Sequence, residues 1–209
     1  MFTLYGSYGS ASFAPHAILE ICALSYELID VDLSSERSPD YLALNPTGSV
    51  PTLVEVVDEN RQVMTESSAM CVYLADRFRA EELSPAVDDA QRRYYLQWMA
   101  FFSTSLQETY LRFYHPERMV SAGANERSVR EAAEDRLTTL YGIIRNGLGD
   151  QRFMLGDGLS TCDIYLLMLM GWHEDREELF SRFPALAAHF DRVLEHPVIA
   201  EVFQLHDVD

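Results

Sequence analysis

Two short stretches organise the chain: Asn45-Pro46-Thr47-Gly48-Ser49-Val50-Pro51-Thr52-Leu53-Val54 and, a little later, Thr65-Glu66-Ser67-Ser68. The first begins with turn-forming pairs and continues into a β-branched run, Thr52 to Val57, which predicts a short buried strand. A tight loop therefore enters a strand through Pro51. An X-Pro bond adopts the cis form at a cost of only about 0.5–1 kcal/mol. A cis Val50-Pro51 bond would leave the N–H and C=O of Val50 able to pair with a peptide-like ligand, as a neighbouring strand would.

The second stretch lies where a predicted strand, Gln62 to Met64, gives way to a helical pattern. A helix N-terminus attracts a carboxylate through its N–H groups and dipole, and a neighbouring glutamate such as Glu66 can hold an ammonium. An amino-acid head group, such as a γ-glutamyl group, carries both charges and would suit Glu66 and Ser67 together. The competing interpretation is that Thr65 or Ser67 only caps the helix and Glu66 favours its first turn.

The first third of the chain predicts a βαβ unit followed by a hairpin. A strand at Phe2 to Tyr5 leads through a Gly/Ser-rich loop, residues 6–12, into a helix that reaches Leu24. A second strand, Tyr26 to Val31, should run parallel to the first. The remaining predictions are a weakly helical connection at 34–44, strands at 52–57 and 62–64 joined by a polar turn at 58–61, and a helix from Glu66 to about Arg79.

The rest of the chain predicts helices only. Apolar stripes at helical spacing run from Asp89 to about Tyr114 and from Glu126 to Ile144, the second ended by Asn146-Gly147. Ser160 and Asp163 form a predicted capping box before a buried helix, Ile164 to Gly171. We expect Asp163→Ala to lower stability by about 1 kcal/mol, the value of a lost cap, without changing ligand affinity.

Composition excludes several classes of function. The net charge is −17, from 33 acids and 16 bases, which opposes nucleic-acid and anionic-membrane partners. The three cysteines, Cys22, Cys71 and Cys162, form no Cys-x-x-Cys pair, and the histidines lack ligand spacing, so neither a dithiol oxidoreductase nor a metal site is expected. No secretory leader is visible, and Ile164 to Trp172 is far shorter than the ~20 residues that span a bilayer, so we expect a cytoplasmic protein.

The order of loop, proline, two strands, Glu-Ser and helix resembles the cytosolic glutathione transferases, over essentially the whole chain. The resemblance implies an α/β thioredoxin-like glutathione-binding domain at 1–79, a linker at 80–89 and an all-α helical domain at 90–209. It also implies that Val50, ahead of Pro51, holds the cysteinyl backbone of glutathione and that Glu66 and Ser67 hold its γ-glutamyl end. By the same resemblance, glutathione would be the co-substrate and no metal would be needed. The protein would be a cytoplasmic homodimer that acts in detoxification by transferring alkyl or aryl groups other than methyl.

Catalysis in this family requires a donor that stabilises the thiolate of bound glutathione, either a loop hydroxyl or the first turn of the following helix. Ser10 and Ser12 lie nearest the helix start and are the first candidates, although both are also suited to capping that helix. The cysteine and histidine of the bacterial beta class align at Ala11 and Gln107, which opposes a mixed-disulfide mechanism. Two alternatives stay open: a glutathione-dependent isomerase, from a partial likeness of Ser10-Ala11-Ser12-Phe13 to the zeta class, and a non-catalytic binding or regulatory protein.

The second substrate is expected to be a small apolar electrophile or a peroxide, held between the domains. Aromatic residues at helical spacing also form ordinary cores, so the sequence does not decide which of them face a cleft. Arg37 is a candidate for the glycine carboxylate of glutathione, with a solvated surface arginine as the favoured interpretation. The candidate lining residues of the electrophile site are Tyr8, Phe13, Phe102, Gln107, Tyr110, Tyr114 and Trp172.

Overall fold

The computed structural model describes residues 1–78, 82–121 and 124–207. They form two compact units: Met1–Ala86 with the segment that starts at Val193, and Val87–Arg192. Within the predicted linker, Ala80 and Glu81 lie outside the described residues, as does Arg79, the expected end of the third helix. The predicted limits 1–79, 80–89 and 90–209 stay a prediction, whereas contacts assign the segment from Val193 to the first unit.

The first unit contains a mixed sheet in the order β2-β1-β3-β4. Strands β1 (Phe2–Gly6) and β2 (Tyr26–Asp30) are parallel, with Phe2 opposite Tyr26. Strand β3 (Thr52–Val57) runs antiparallel to β1, and β4 (Asn60–Met64) runs antiparallel to β3. This arrangement confirms the predicted βαβ unit and hairpin, and thus the α/β class of the first unit.

The hairpin turn is shorter than predicted. Asp58 and Glu59 have φ angles of +48° and +65°, and Val57 already pairs with Asn60. Positive φ at both central residues is the signature of a two-residue type I′ loop, whose twist matches that of the flanking strands. The prediction of a turn over residues 58–61 is therefore wrong, and β4 begins at Asn60 instead of Gln62.

Three helices follow the strands of the first unit: α1 (Phe13–Ile21), α2 (Pro39–Leu44) and α3 (Ser67–Arg77). All residues of α1 are buried except Glu20. Helix α1 stops before the predicted Leu24, because Ala23 takes a φ of +48°, which a right-handed helix does not allow. Proline at the first position of α2 fits the fixed φ of a helix start, and the Ser38 hydroxyl accepts a bond from the Tyr41 N–H.

The remaining elements are helical in the part of the chain that the structure describes. The predicted helix over 89–114 is interrupted by a π-helical segment, Phe102–Gln107, which joins α4 to α5. A short 3₁₀ turn, Pro116–Met119, precedes α6. The helices are α4 (Arg92–Phe101), α5 (Glu108–Tyr114), α6 (Glu126–Leu148), α7 (Thr161–Gly171), α8 (Arg176–Arg182), α9 (Pro184–Leu194) and α10 (Pro197–His206).

Helix α6 continues past the predicted stop at Asn146-Gly147 and ends at Leu148, before Gly149 with φ +57°. Gly147 has a packing role instead, since a Cβ there would lie 2.2 Å from Cζ2 of Trp98. Helix α7 confirms the predicted capping box of Ser160 and Asp163, and every residue from Thr161 to Met170 is buried. The all-α character of this part of the chain is likewise confirmed.

Helix α10 completes the core of the first unit by packing on α1. The rings of Phe13 and Phe203 meet edge to face with centroids 5.8 Å apart, and His206 contacts Phe13 at 5.5 Å. Within the described ranges, no helix has the length and apolar character needed to cross a membrane. The same residues contain no cluster of three or more histidine, cysteine or acidic side chains able to hold a metal ion.

Candidate functional site

The predicted binding residues converge on one edge of the sheet. Tyr5 pairs with Thr52, and Leu53 pairs with Met64. Because β3 runs antiparallel to β1 and β4, the chain segments that carry Ser7 after β1, Val50 before β3 and Glu66 after β4 all leave the sheet at this edge. Helices α1 and α3 both begin at this edge, at Phe13 and Ser67. Their N-termini therefore lie on the same side of the sheet as these loops.

The Val50-Pro51 bond is cis. Pro51 and Thr52 are buried, whereas Val50 is half-buried. The loop before this bond turns at Gly48, whose φ of +67° favours glycine. The main chain of Val50 therefore lies just before the start of β3, at the sheet edge where the loop after β1 begins.

A buried amide, Asn45, holds this loop in shape. Its Nδ2 donates to the Ser49 carbonyl at 2.9 Å and to the Thr52 hydroxyl at 3.1 Å, while its Oδ1 accepts from the N–H and hydroxyl of Thr47. The Tyr41 hydroxyl donates to the same Ser49 carbonyl at 2.6 Å. The sequence indicated only a turn at Asn45. The hydrogen bond between Asn45 and Thr52 depends on how the loop folds, so the sequence did not predict it.

Arg37 braces the same loop from outside. Its Nε donates to the Gly48 carbonyl at 3.0 Å, and Nη1 and Nη2 donate to the carbonyls of Asp32 and Leu33 at 2.6 and 3.2 Å. A further bond joins Nη1 to the Ser35 carbonyl. The guanidinium thus binds main-chain oxygens, a role that neither sequence interpretation of Arg37 included.

Glu66 adopts an unusual backbone conformation, with φ +69° and ψ 101°. A non-glycine residue in the left-handed region costs on the order of 1–3 kcal/mol, and such residues cluster at ligand sites. Glu66 occupies the N-cap position of α3 but makes no side-chain capping bond, and its side chain is exposed. Ser67, the first residue of α3, is buried. The carboxylate of Glu66 is therefore presented outward, beside the start of a helix.

The serines of the loop after β1 form a compact hydrogen-bonded cluster. The Ser10 hydroxyl donates to the Ser7 carbonyl at 2.5 Å, and the Ser10 and Ser12 hydroxyl oxygens are 2.8 Å apart. The Ser7 N–H donates to the Ser12 hydroxyl oxygen at 3.2 Å. A hydroxyl carries a single proton, so once Ser10 donates to Ser7, Ser12 must be the donor in the serine pair.

The two catalytic candidates, Ser10 and Ser12, differ in how deeply they are buried. Ser12 is fully buried at 0% exposure, and a Cβ on Gly6 would lie only 2.8 Å from its side chain. Ser10 is half-buried and is therefore the more exposed of the two serines. In the arrangement described, both hydroxyl protons point to protein acceptors, and a thiolate would have to draw one of them away.

The candidate electrophile residues differ in accessibility within their own units. Phe13, Phe102 and Tyr110 are buried; the Tyr110 hydroxyl lies 2.7 Å from that of Tyr141. Tyr8 is 44% exposed, and Tyr114 is 43% exposed. The hydroxyl of Tyr114 donates to the Trp172 carbonyl, and Gln107 accepts a bond from Tyr165. Their assignment to a substrate site stays a prediction.

Two family models match this chain. The glutathione S-transferase N-terminal domain matches residues 10–77, and the glutathione S-transferase C-terminal domain matches residues 101–197. Glutathione S-transferase GST-4.5 of Xanthomonas campestris pv. campestris is 31% identical over 191 residues, covering 91% of this chain and 92% of that protein. Glutathione S-transferase GstA of Escherichia coli O157:H7 is 26% identical over 196 residues, covering 92% of each chain.

Solved structures give the same picture. The ternary complex of BphK, a bacterial GST, is 30% identical, with a TM-score of 0.85 over 99% of this chain and 100% of that one. The structure of a sphingomonad glutathione S-transferase complexed with glutathione has a TM-score of 0.81 at 24% identity, with the same coverage. The second likeness extends to the fold alone.

Proposed function

The chain belongs to the glutathione S-transferase family, and on this premise we propose that it is a glutathione transferase whose first unit binds glutathione as co-substrate. Glutathione would lie along the sheet edge described above. Its cysteinyl main chain would pair with the N–H and C=O of Val50, ahead of Pro51, as an added antiparallel strand. Glu66 would hold the γ-glutamyl ammonium, and Ser67, at the start of α3, would hold the γ-glutamyl carboxylate.

The observation that carries this proposal is the left-handed conformation of Glu66 at the N-terminus of α3, at the same edge of the sheet as Pro51. The strained backbone turns an exposed carboxylate outward instead of using it as a helix cap. A ligand with an ammonium beside a carboxylate matches that pair of charges. The main-chain groups of Val50 would then fix the peptide portion of the same molecule.

We propose that Ser10, positioned by Ser12, stabilises the glutathione thiolate. On binding, the Ser10 hydroxyl would turn from the Ser7 carbonyl to the sulfur, while the Ser12 hydroxyl continues to donate to Ser10. The N-terminus of α1 adds favourable electrostatics near the same loop. The thiolate would then attack a small apolar electrophile, or reduce a peroxide, with Tyr8 as an exposed aromatic contact in the same loop. A cytoplasmic homodimer is part of the proposal.

A second candidate is a glutathione-binding protein without catalysis. It is favoured by one observation, the closed hydrogen-bond cluster in which both serine protons already have acceptors. The isomerase alternative rests only on the sequence of the loop and stays a prediction.

Calorimetry with glutathione tests the binding site. We expect Glu66→Gln to weaken binding by roughly 10-fold or more, because a charged hydrogen bond to the ligand is lost. Glu59→Gln is the matched control: Glu59 is also an exposed glutamate at positive φ (+65°), but it lies in the hairpin turn. Equal affinity of the wild type and the Glu66 variant would contradict the proposed site.

Activity assays separate the two candidates. Conjugation of a chlorodinitrobenzene-type electrophile and reduction of cumene hydroperoxide are measured for the wild type and for Ser10→Ala. Turnover that falls strongly in Ser10→Ala, with glutathione affinity retained, supports the transferase mechanism. Tight glutathione binding without turnover on either substrate supports the non-catalytic candidate instead.

A further inference from the structure

The main-chain groups of Val50 have no protein partner in the part of the chain that the structure describes. There, neither the N–H nor the C=O of Val50 makes a hydrogen bond to another group of the protein. Val50 is half-buried and lies outside the strands, since β3 begins at Thr52. The direction in which these two groups point therefore depends on what holds the loop around them.

The carbonyl of Ser49 fixes the direction of the Val50 N–H. This carbonyl accepts two bonds from buried side chains, one from the Tyr41 hydroxyl at 2.6 Å and one from Asn45 Nδ2 at 2.9 Å. The peptide bond between Ser49 and Val50 is trans, and the cis bond is the next one along the chain. In a planar trans peptide the N–H points opposite to the C=O, so the Val50 N–H is directed away from Tyr41 and Asn45.

The preceding peptide is held in a similar way by Arg37. The Gly48 carbonyl accepts from Arg37 Nε at 3.0 Å. The Ser49 N–H, in the same peptide, donates to the Thr47 hydroxyl at 3.3 Å. The stem of Arg37 also packs at this position, because a Cβ added to Gly48 would lie 3.3 Å from Arg37 Cγ. Both peptides that precede Val50 are therefore held through their carbonyls by side chains from the segment between β2 and β3.

Arg37 is itself fixed by the main chain. A guanidinium has five N–H donors in a rigid planar fork. In Arg37, one of them bonds the Gly48 carbonyl, and three others bond the carbonyls of Asp32, Leu33 and Ser35. The fork therefore joins the loop after β2 to the loop before β3. With most of its donors engaged by the protein, Arg37 acts on a ligand through the loop instead of by direct contact.

We propose that Tyr41 and Arg37 are positioning residues that aim the Val50 N–H at the main chain of glutathione before it binds. Tyr41 acts through the Ser49 carbonyl, and Arg37 acts through the Gly48 carbonyl. This inference rests on the proposed function, in which Val50 pairs with the cysteinyl main chain. A donor that is already held in its bound direction requires less ordering on association, so both side chains contribute to affinity without touching the ligand.

Calorimetry with two ligands tests this role. The first is glutathione, and the second is glutathione ethyl ester, which keeps the whole tripeptide main chain but has its glycine carboxylate esterified. We expect Tyr41→Phe and Arg37→Ala each to weaken binding by about 5-fold, the effect of one hydrogen bond on the aim of the donor. The factor should be the same for both ligands, because the loop acts on the cysteinyl part that they share.

Two matched controls separate positioning from a general loss of stability. Tyr73→Phe also removes one tyrosine hydroxyl bond in the first unit, the bond of 2.7 Å to Glu55. Arg61→Ala removes an arginine from an exposed position of β4. Both controls should bind the two ligands as the wild type does. Urea unfolding of all four variants shows whether Tyr41→Phe and Tyr73→Phe lose similar stability while only Tyr41→Phe loses affinity.

Wild-type affinity in either Tyr41→Phe or Arg37→Ala would overturn the proposal while leaving the proposed function intact. A loss in Arg37→Ala that appears with glutathione but not with its ester would overturn it too, by assigning Arg37 to the glycine carboxylate. If Arg37→Ala does not fold, Tyr41→Phe decides, because it keeps the ring and removes only the hydroxyl. Absence of glutathione binding by the wild type would overturn the proposed function and the positioning role together.

Discussion

Asp163 Oδ1 and His189 Nε2 lie 2.8 Å apart, with both side chains wholly buried in the second unit. The same carboxylate accepts from the Met154 N–H at 2.7 Å, and from the N–H and hydroxyl of Ser160 at 2.9 and 2.7 Å. Asp163 therefore joins the start of α7, the preceding loop and α9, and does more than close a capping box.

We expect Asp163→Ala to lower the free energy of unfolding by about 3–5 kcal/mol, because it strands several buried donors at once. This exceeds the roughly 1 kcal/mol expected from the cap alone. Urea unfolding of the variant measures the difference, and Asp135→Ala, at an exposed position of α6, is the control. A loss no larger than that of Ser160→Ala would contradict the joining role.

Two glycines of α6 make a matched pair for packing. Nothing lies within 4 Å of a Cβ added at Gly142, whereas a Cβ at Gly147 would overlap the Trp98 ring at 2.2 Å. Gly142→Ala should stabilise the protein by about 0.5–1 kcal/mol through helix propensity, and Gly147→Ala should destabilise it by about 1–3 kcal/mol through overpacking. Thermal unfolding of both variants checks the opposite signs; a stabilised Gly147→Ala would refute the close contact.

Asn45 is the residue from which we expect an effect on both stability and ligand binding in the first unit. Asn45→Ala leaves the Ser49 carbonyl and the Thr47 groups without this partner, so we expect a loss of about 1–3 kcal/mol in stability. Because the loop carries Val50, glutathione affinity should fall as well. Asn60→Ala, which removes an exposed bond to the Asp58 carbonyl, is the control for both measurements. Unchanged glutathione affinity in Asn45→Ala would separate the loop from the site.

The buried histidine pair predicts acid sensitivity. The pKa of His206 is lowered by burial, and less by His16, from 6.5 to about 4, so between these pH values the unfolded chain binds a proton that the folded chain does not. The free energy of unfolding therefore falls as pH decreases through this window, by on the order of 2–3 kcal/mol from His206. Burial also lowers the pKa of His16, which adds in the same direction. In His206→Gln the pH dependence of urea unfolding should be shallower; an identical slope would refute the assignment.

Local chemistry made much of the fold predictable from the sequence. The turn pairs before Pro51, the β-branched strand and the Ser160 box act over a few residues, and the structure has all of them in place. The parallel pairing of β1 and β2 also follows from the short helical crossover. The edge that brings Val50 and Glu66 together was predictable because Val50 directly precedes β3 and Glu66 directly follows β4, and the hairpin makes these two strands antiparallel.

Most of the features that the sequence did not predict depend on contacts between residues that are far apart in the chain. Gly147 was predicted to end helix α6, but the helix continues past it. A glycine is needed there because a Cβ would overlap the Trp98 ring. The sequence offered Ser10 and Ser12 as equal candidates. In the structure, the burial of Ser12 against Gly6 and the bond from Ser10 to the Ser7 carbonyl distinguish them. His16 pairs with His206, which lies 190 residues away in α10. A local sequence pattern cannot predict a contact over that separation.

The packing of α10 on α1 bears on how the protein is made. The residues that shield Phe13 are separated from it in the chain by the whole of Val87–Arg192. A ribosome that has synthesised only the sheet and its first helices has therefore not yet supplied the apolar cover of α1. We conclude that the nascent first unit keeps part of its interior uncovered during translation, and that its packing closes only after the helices of the second unit have emerged.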